Sequence, residues 1–199
     1  YADVTHLGVG ILVQADEIYH ADRVADNLAL TIWRRRGDFD AGLIAAEVAV
    51  RQAMAAPEGP VILVDVADNA GGGAPGDGTT ILAELLDQDV RGAVIVLCDP
   101  EAVRAAKALG VGEMFAASVG GKADDLHGPS VPLVGEIIFQ EPVSYHRQGD
   151  YMTGQQIDLG EVAVIQAGGV TVMLTERKAL PFDADHLAAA GIVAAAQQI

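Results

Sequence analysis

Apolar residues recur along this chain in two rhythms, one typical of helices and one typical of buried strands. From residue 16 to residue 36 they lie three or four positions apart, and residues 40–56 repeat this spacing, so both stretches predict amphipathic helices. Arginines at 34, 35 and 36 precede Gly37, which is a stop signal because cations stabilise a helix C-terminus. Short continuous apolar runs predict strands at 9–14, 61–66 and 93–97.

Strands and helices then alternate as far as residue 109. The predicted strand 61–66 precedes a glycine-rich loop and a helix at 79–88, and the strand 93–97 precedes a helix that ends at Leu109. Asp99 and Pro100 suit the cap and the first position of that last helix. Such alternation predicts parallel β-α-β units with right-handed crossovers. We therefore expect an α/β core over about residues 1–120.

After Gly120-Gly121 the pattern becomes strand-like. Apolar residues predict strands at 131–140, 144–147, 161–166 and 170–176, with a hairpin turn at Gly168-Gly169 and a helix at 184–190. The predicted fold class is α/β, with a parallel β-α-β core covered by helices and a β-rich elaboration over about residues 121–180. All 199 residues are expected to form one domain.

Composition and charge narrow the classes of function. Hydrophobic residues make up 51% of the chain and aromatic residues only 5%, so the core must be aliphatic. No apolar run reaches the roughly 18 residues that span a bilayer. The formal charge of -16 repels phosphates, which disfavours nucleic acid and anionic membranes as partners. With a single cysteine, Cys98, and no signal-peptide pattern, the expected compartment is cytoplasmic.

The chain opens at Tyr1 rather than at methionine and closes at Ile199 directly after an alanine-rich stretch. Both ends suggest cuts through a longer polypeptide. We therefore expect this sequence to be a piece of a larger protein.

The segment from Asp65 to Thr80 carries the most chemical information. It places five glycines within eight residues, between a predicted strand and a predicted helix. Glycine lets a ligand approach the backbone closely, and α/β proteins place their sites at the carboxyl ends of strands. The candidate site residues in this segment are Asp65, Asp68, Asn69, Gly71, Gly72, Gly73, Gly76, Asp77 and Thr79.

Two interpretations need no knowledge of any family. In the first, the glycines only build a turn, which makes this a purely structural or interface domain. Alternatively Gly71, Gly73 and Gly76 fit G-x-G-x-x-G, with Asp99 at the ribose-binding position, which predicts a Rossmann-like module for a nucleotide or another anion. The carboxylates in the loop, which would repel a pyrophosphate, weaken this second interpretation.

A third interpretation comes from a family resemblance. The pattern Asp65-x-x-Asp68-Asn69-x-Gly71-Gly72-Gly73-Ala74-Pro75-Gly76-Asp77-x-Thr79 resembles the signature of the C-terminal domain of microcystinase C (MlrC)-type metallopeptidases. Shorter matching pieces follow in the family's order: Asp99-Pro100-Glu101-Ala102, Gly110-Val111-Gly112, Gly120-Gly121-Lys122, Asp158-Leu159-Gly160 and Gly168-Gly169-Val170. Ala70 departs from the pattern, because the family usually has proline there.

The resemblance implies a two-domain, zinc-dependent hydrolase that cleaves peptide or amide bonds. Its zinc ligands are expected in an N-terminal domain, so the intact protein would be an enzyme and this chain alone inactive. The glycine loop, together with Lys122, is expected to face the cleft between the domains and to position the substrate. The sequence leaves open whether the protein forms a homo-oligomer.

Local sequence offers weaker candidates for a metal or substrate site. Asp124-Asp125-x-His127 contains ligand-type side chains, but polar turn residues explain it better, and no metal site is predicted in this chain. The triplet Tyr145-His146-Arg147 has the chemistry of a substrate clamp, although an alternating strand explains it equally well.

Overall fold

The computed structural model describes residues 8–40 and 42–199, which divide into a unit up to Ala45 and a unit from Ala46 to Ile199. The first unit contains helix α1 (Ile18–Arg34), followed by a 3-10 turn at Arg36–Phe39. The predicted helix is thus confirmed, and it ends at its arginines. The prediction of a strand at 9–14 is wrong. Leu12 is 98% exposed, and this run has no strand partner among the described residues of the unit.

The second unit begins with helix α2 (Ala46–Met54), which covers the middle of the predicted helix at 40–56. It continues through α3 (Thr80–Asp87) and α4 (Pro100–Leu109). Asp99 caps α4 by accepting a hydrogen bond from Ala102 N at 2.9 Å, as the sequence predicts. A short helix α5 (Asp185–Ala188) occupies part of the predicted 184–190.

A five-stranded sheet forms the centre of this unit, in the order β1-β5-β4-β3-β2. The strands are β1 (Ala93–Cys98), β2 (Met114–Val119), β3 (Val131–His146), β4 (Gln156–Ala167) and β5 (Val170–Thr175). Only β1 and β5 pair in parallel; the other three pairings are antiparallel. The α/β class is confirmed, but the parallel core is limited to one pair, because β5 occupies the place beside β1 and α4 leads to the opposite edge.

The strand predicted at 61–66 is wrong for a related reason. Val61 N donates to Gln198 O at 2.8 Å, but Val94 N of β1 donates to Ile199 O at 3.0 Å. The last residues of the chain therefore lie along the edge of β1 where the strand at 61–66 was expected. The side chain of Ile62 is left 81% exposed.

The second half of the chain is β-rich, as predicted, with longer strands than the pattern indicates. The predicted strands 131–140 and 144–147 merge into β3, whose register shifts at Ile137/Phe139 and Val143/Ser144 mark bulges. The hairpin between β4 and β5 turns at Gly168, where φ is +58°. β2 was not predicted, because its short Ala- and Ser-containing sequence carries no strong strand pattern.

The sheet is covered on both faces. Helices α2, α3 and α4 contribute to one buried aliphatic cluster with β1, β3, β4 and β5, and residues 179–192 pack with a second cluster that contains Leu159 and Met173. The carboxyl end of β1 meets the glycine loop, where Cys98 N donates to Gly76 O at 2.7 Å. Among the described residues, no helix is long and apolar enough to cross a membrane.

Candidate functional site

The glycine loop is folded by its own acidic side chain at Asp68. The two oxygens of this carboxylate accept from Gly76 N at 2.8 Å and from Gly78 N at 2.6 Å. A Cβ on Gly78 would stand 2.9 Å from Asp68 Cβ, so this close approach requires glycine. Because an ionised acceptor makes strong hydrogen bonds to backbone amides, Asp68 fixes the second half of the loop.

Asn69 folds the first half of the loop in the same manner. Its Oδ1 accepts from Gly71 N at 2.9 Å and from Gly72 N at 3.3 Å, which caps a 3-10 turn at Ala70–Gly72. The turn ends at Gly73, whose φ of +103° lies in the left-handed region. Upstream, Asp65 Oδ1 accepts from the amides of residues 67 and 68. The sequence therefore places each Asx side chain where it satisfies backbone donors.

Asp77 connects the loop to the segment after β2. The residue is 4% exposed, and its Oδ2 accepts from Lys122 N at 2.8 Å and Ala123 N at 3.0 Å. Its backbone oxygen accepts from Gly121 N at 2.8 Å. The other carboxylate oxygen, Oδ1, is buried without a hydrogen-bond partner. The structure thus brings Asp77 and Lys122 together, although 45 residues separate them along the chain.

Thr79 and His127 close the loop from the other side. Thr79 N donates to His127 O at 3.0 Å, and Thr79 Oγ1 donates to Pro129 O at 2.8 Å. The ring of His127 lies between Asp124 Oδ1, 2.7 Å from Nδ1, and Ala67 O, 3.2 Å from Nε2. The hydrogen bond to Asp124 raises the pKa of His127 above its ordinary value, although burial opposes the shift. His127 is therefore a clamp between two loops.

Beside the loop a shallow cavity of about 320 Å³ opens at the carboxyl end of β1. Its lining residues are Pro75, Asp77, Cys98, Asp99, Pro100, Glu101, Arg104, Lys122 and Ala123. Lys122 Nζ lies 3.0 Å from Asp99 Oδ2 and 3.0 Å from Glu101 Oε1. Burial alone would lower the pKa of Lys122, but the two carboxylates outweigh it and raise that pKa. The cavity therefore presents a fixed, partly exposed cation.

Cys98 lies at the same strand end but is not suited to nucleophilic chemistry. Burial raises the pKa of its thiol, and the carboxylates of Asp77 and Asp99 raise it further, while Thr175 and Lys178 oppose the shift. Since the thiolate is the reactive form, this thiol stays protonated at neutral pH. The cavity offers groups that bind and orient a molecule.

The loop geometry argues against a phosphate cradle. The amides of Gly71, Gly72, Gly73, Gly76 and Gly78 all donate to acceptors within the protein. Two nearly buried carboxylates, those of Asp77 and Asp99, stand beside the loop. Amides that already donate to acceptors of the protein itself are not free for a pyrophosphate, so the nucleotide-binding interpretation loses its physical basis.

The described residues do not fit a zinc ion. Zinc sites in proteins take three or four His, Cys or carboxylate ligands around one point, and no group of three such side chains occurs in the described part of the chain. Both ring nitrogens of His127 face oxygen atoms. The expectation that zinc ligands belong to another domain stays a prediction.

A second polar cluster lies around Arg147, and the sequence pattern does not reveal it. Arg147 is 2% exposed and His186 is 1% exposed, and Tyr145 Oη lies 3.2 Å from His186 Nδ1. The alternation that explains Tyr145-His146-Arg147 as a strand runs one residue past the end of β3, so Tyr145 and Arg147 lie on the same side. Their position beside His186 is a long-range feature that spacing does not reveal.

Comparison with known proteins places this geometry in a family. Microcystinase C from Sphingomonas sp. is 33% identical over 145 residues, which are 72% of this chain and 28% of that protein. A crystal structure of a candidate metallopeptidase from Mesorhizobium sp. BNC1 superposes with a TM-score of 0.78 at 27% identity, covering 89% of this chain and 36% of that one. This chain therefore spans about a third of the length of either relative.

The sequence profile described as MlrC C-terminus matches residues 63–199, a range that begins just before the glycine loop and contains the whole sheet. The resemblance carried by residues 65–79 is thus confirmed over most of the chain. The chain belongs to the MlrC C-terminal domain family, and its fold is that of a metallopeptidase-like domain.

Proposed function

We propose that this chain is the C-terminal domain of a zinc-dependent hydrolase that acts on peptide or amide bonds. Family membership is the observation that carries the proposal, because one relative is named microcystinase C and the other a metallopeptidase, and this chain covers only 28% and 36% of them. An N-terminal domain would then hold the zinc, and the two domains would complete one cleft. When bound, the metal would supply Lewis-acid chemistry at the scissile carbonyl.

In this proposal the chain contributes a rigid rim to the cleft. Asp68 and Asn69 fix the loop before any substrate arrives, and pre-positioned groups lower the entropic cost of reaching the transition state. At the rim, Lys122 Nζ is the charged donor that a substrate carbonyl or carboxylate could contact. Asp99 and Glu101 hold that ammonium group in place.

The first experiment compares two lysine substitutions in the full-length protein. Lys122→Met removes the rim cation, whereas Lys107→Met removes an exposed lysine of α4 that pairs with Glu161. We expect Lys122→Met to lower kcat/KM for peptide hydrolysis about tenfold or more, as for a lost hydrogen bond to a charged group. Lys107→Met should leave kcat/KM unchanged. Equal effects of both substitutions would remove Lys122 from the rim.

A second experiment tests the loop itself. Gly72→Val should depress turnover while the melting temperature stays near that of the wild type. Gly73 is a poorer choice, because its φ of +103° strains any other residue. Unchanged kinetics in Gly72→Val would leave the loop with a structural role only.

The metal requirement is tested by dialysing the full-length protein against a chelator and then restoring zinc. Peptide hydrolysis should disappear and return, and the bound zinc should be about one ion or more per chain. Hydrolysis that persists in metal-free protein would refute the proposed function.

A further inference from the structure

A second cavity, of about 520 Å³, opens between the β3–β4 turn and the segment that follows β5. It adjoins the glycine loop. Gly71 is one of its lining residues, and Lys178 Nζ donates to Ala74 O at 3.0 Å. A Cβ on Gly71 would stand 3.2 Å from Leu180 Cδ2. A molecule that contacts the glycine loop could therefore extend into this cavity.

Arg147 lines the cavity from a buried position. Its Nη2 donates to Leu180 O at 2.8 Å, but Nε and Nη1 are buried with no hydrogen-bond partner. The carboxylate of Asp183 lies 3.7 Å from Nη1, within ion-pair distance but beyond hydrogen-bond range, and both of its oxygens also lack hydrogen-bond partners. Buried donors in folded proteins are nearly always hydrogen-bonded. Asp183 supplies an ionic partner but no hydrogen bond, so Nε and Nη1 stay open to a further acceptor.

The charge of the lining favours an anion as that partner. Lys178 adds a second cation to Arg147. The acidic lining residue Asp158 pairs with Arg177, and Asp183 pairs with Arg147, so three cations stand beside two carboxylates. The chain as a whole carries a formal charge of -16. A local excess of positive charge on so acidic a molecule selects anionic ligands over the rest of its surface.

The mouth of the cavity is aromatic. Tyr151 and Phe182 meet edge to face with their ring centroids 5.0 Å apart, and the Phe182 ring lies 4.8 Å from the Arg147 guanidinium carbon. Phe182 is 49% exposed and Tyr151 is 61% exposed. Paired aromatic rings that remain half exposed offer an apolar surface for a ligand side chain.

We propose that this cavity binds a carboxylate carried next to an apolar side chain, as at one end of a peptide substrate. The carboxylate would fill Nε and Nη1 of Arg147 after the half-exposed Phe182 ring turns aside, and Lys178 would add a second favourable charge. A planar guanidinium matches a carboxylate with two parallel hydrogen bonds. The assignment of the ligand as substrate rests on the proposed function, whereas the binding itself does not.

The test measures binding of N-acetyl-phenylalanine and of its amide to the full-length protein by isothermal titration or by ligand-observed NMR. We expect the acid to bind about tenfold more tightly than the amide, as for a charge-assisted pair. Arg147→Lys keeps the charge but loses the planar guanidinium with its two parallel donors, and it should remove most of this preference. Lys178→Met should reduce it about two- to fivefold, as for an exposed charge.

Lys107→Met serves as the control for Lys178→Met, because it also removes one positive charge but lies outside the cavity. Circular dichroism checks that Arg147→Lys is folded. If Arg147→Lys does not fold, Lys178→Met still tests the cavity. Equal affinity for acid and amide, no millimolar binding of either compound, or an equal effect of Lys107→Met would overturn the proposal.

Turnover separates this inference from the proposed function. Hydrolysis of peptides that end in Phe-OH or Phe-NH2, and of peptides with Glu or Gln before the end, shows whether a terminal or a side-chain carboxylate is preferred. Hydrolysis without any carboxylate preference would refute the subsite alone. Carboxylate binding without any hydrolysis would refute the proposed function alone.

Discussion

Two neighbourhoods of polar groups meet in the unit that begins at Ala46, and they differ in how their hydrogen bonds are filled. In the glycine loop, Asp68 and Asn69 accept from four backbone amides. Around Arg147, two guanidinium nitrogens, both oxygens of Asp183 and His186 Nε2 are buried without partners. The loop uses its glycine amides to hold its own shape and leaves one buried acceptor, Asp77 Oδ1, unpaired, while the Arg147 cluster still has donors to offer. A conspicuous motif therefore need not be the place where a ligand binds.

Removing Asp68 from the glycine loop should produce the largest loss of stability among the proposed variants. Asp68→Ala leaves the amides of Gly76 and Gly78 without their charged acceptor, which should lower the free energy of unfolding by about 4 kcal/mol. Chemical denaturation provides the measurement. Asp150→Ala removes an exposed carboxylate with no hydrogen bond in the described structure, so it should change stability by less than about 0.5 kcal/mol. Similar losses in both variants would show that the loop is not held by Asp68.

The Arg147 cluster should make the stability of the fold depend on pH through His186. Burial lowers the pKa of His186 to about 4, and the nearby Arg147 charge adds to the shift while Asp183 opposes it. The unfolded chain, with an ordinary pKa near 6.5, binds the proton first, so stability falls as pH drops from about 6.5 to 4. The total loss is on the order of 3 kcal/mol.

His186→Gln isolates this contribution from that of the many carboxylates. The difference in unfolding free energy between pH 7 and pH 4.5 should be smaller in the variant than in the wild type, because glutamine does not titrate. An equal pH dependence in both proteins would show that His186 does not report on the cluster.

A pair of glycines separates backbone strain from steric closure of the loop. Gly128 has a φ of +94°, and a Cβ there would stand 2.4 Å from Thr79 Oγ1. Gly110 has a similar φ of +103° but open space around it. Both alanine variants incur the strain, so Gly128→Ala should be less stable than Gly110→Ala by about 2 kcal/mol. Equal melting temperatures would mean that residues 127–130 do not pack tightly on Thr79.

Local sequence predicted what local forces decide. The cap at Asp99, the end of the first helix among its arginines, the helix end at Leu109 and the turn at Gly168 all depend on neighbours within a few residues, and the structure contains each of them. The strand order could not be predicted in this way. Val170–Thr175 and the last two residues occupy the two edges of β1, and no spacing rule ranks partners so distant in the chain.

The candidate site shows the same division. Glycine-rich spacing located residues 65–80 and the family resemblance gave them a context, so their position was predictable. Their orientation was not, because the acceptors of Asp68 and Asn69 turn toward the backbone. The Arg147 cluster joins β3 to residues 180–186, and only the folded chain brings these segments together.

The smallest expected effect concerns the His127 clamp, and its sign is opposite to that of His186. The hydrogen bond to Asp124 raises the pKa of His127 and lowers that of Asp124. Both ring nitrogens face oxygen atoms, so only the protonated ring donates to Asp124 and to Ala67 O at once. The clamp therefore stabilises the fold fully below about pH 6.5, and this contribution is lost as pH rises through the elevated pKa of the folded state.

Hydrogen exchange of the amides of residues 67–79 should speed up over that range beyond the ordinary base-catalysed increase, and His127→Gln should abolish the excess. If the wild type and His127→Gln show the same pH dependence, the ring does not clamp the loop, and the glycine loop depends on Asp68 and Asn69 without it.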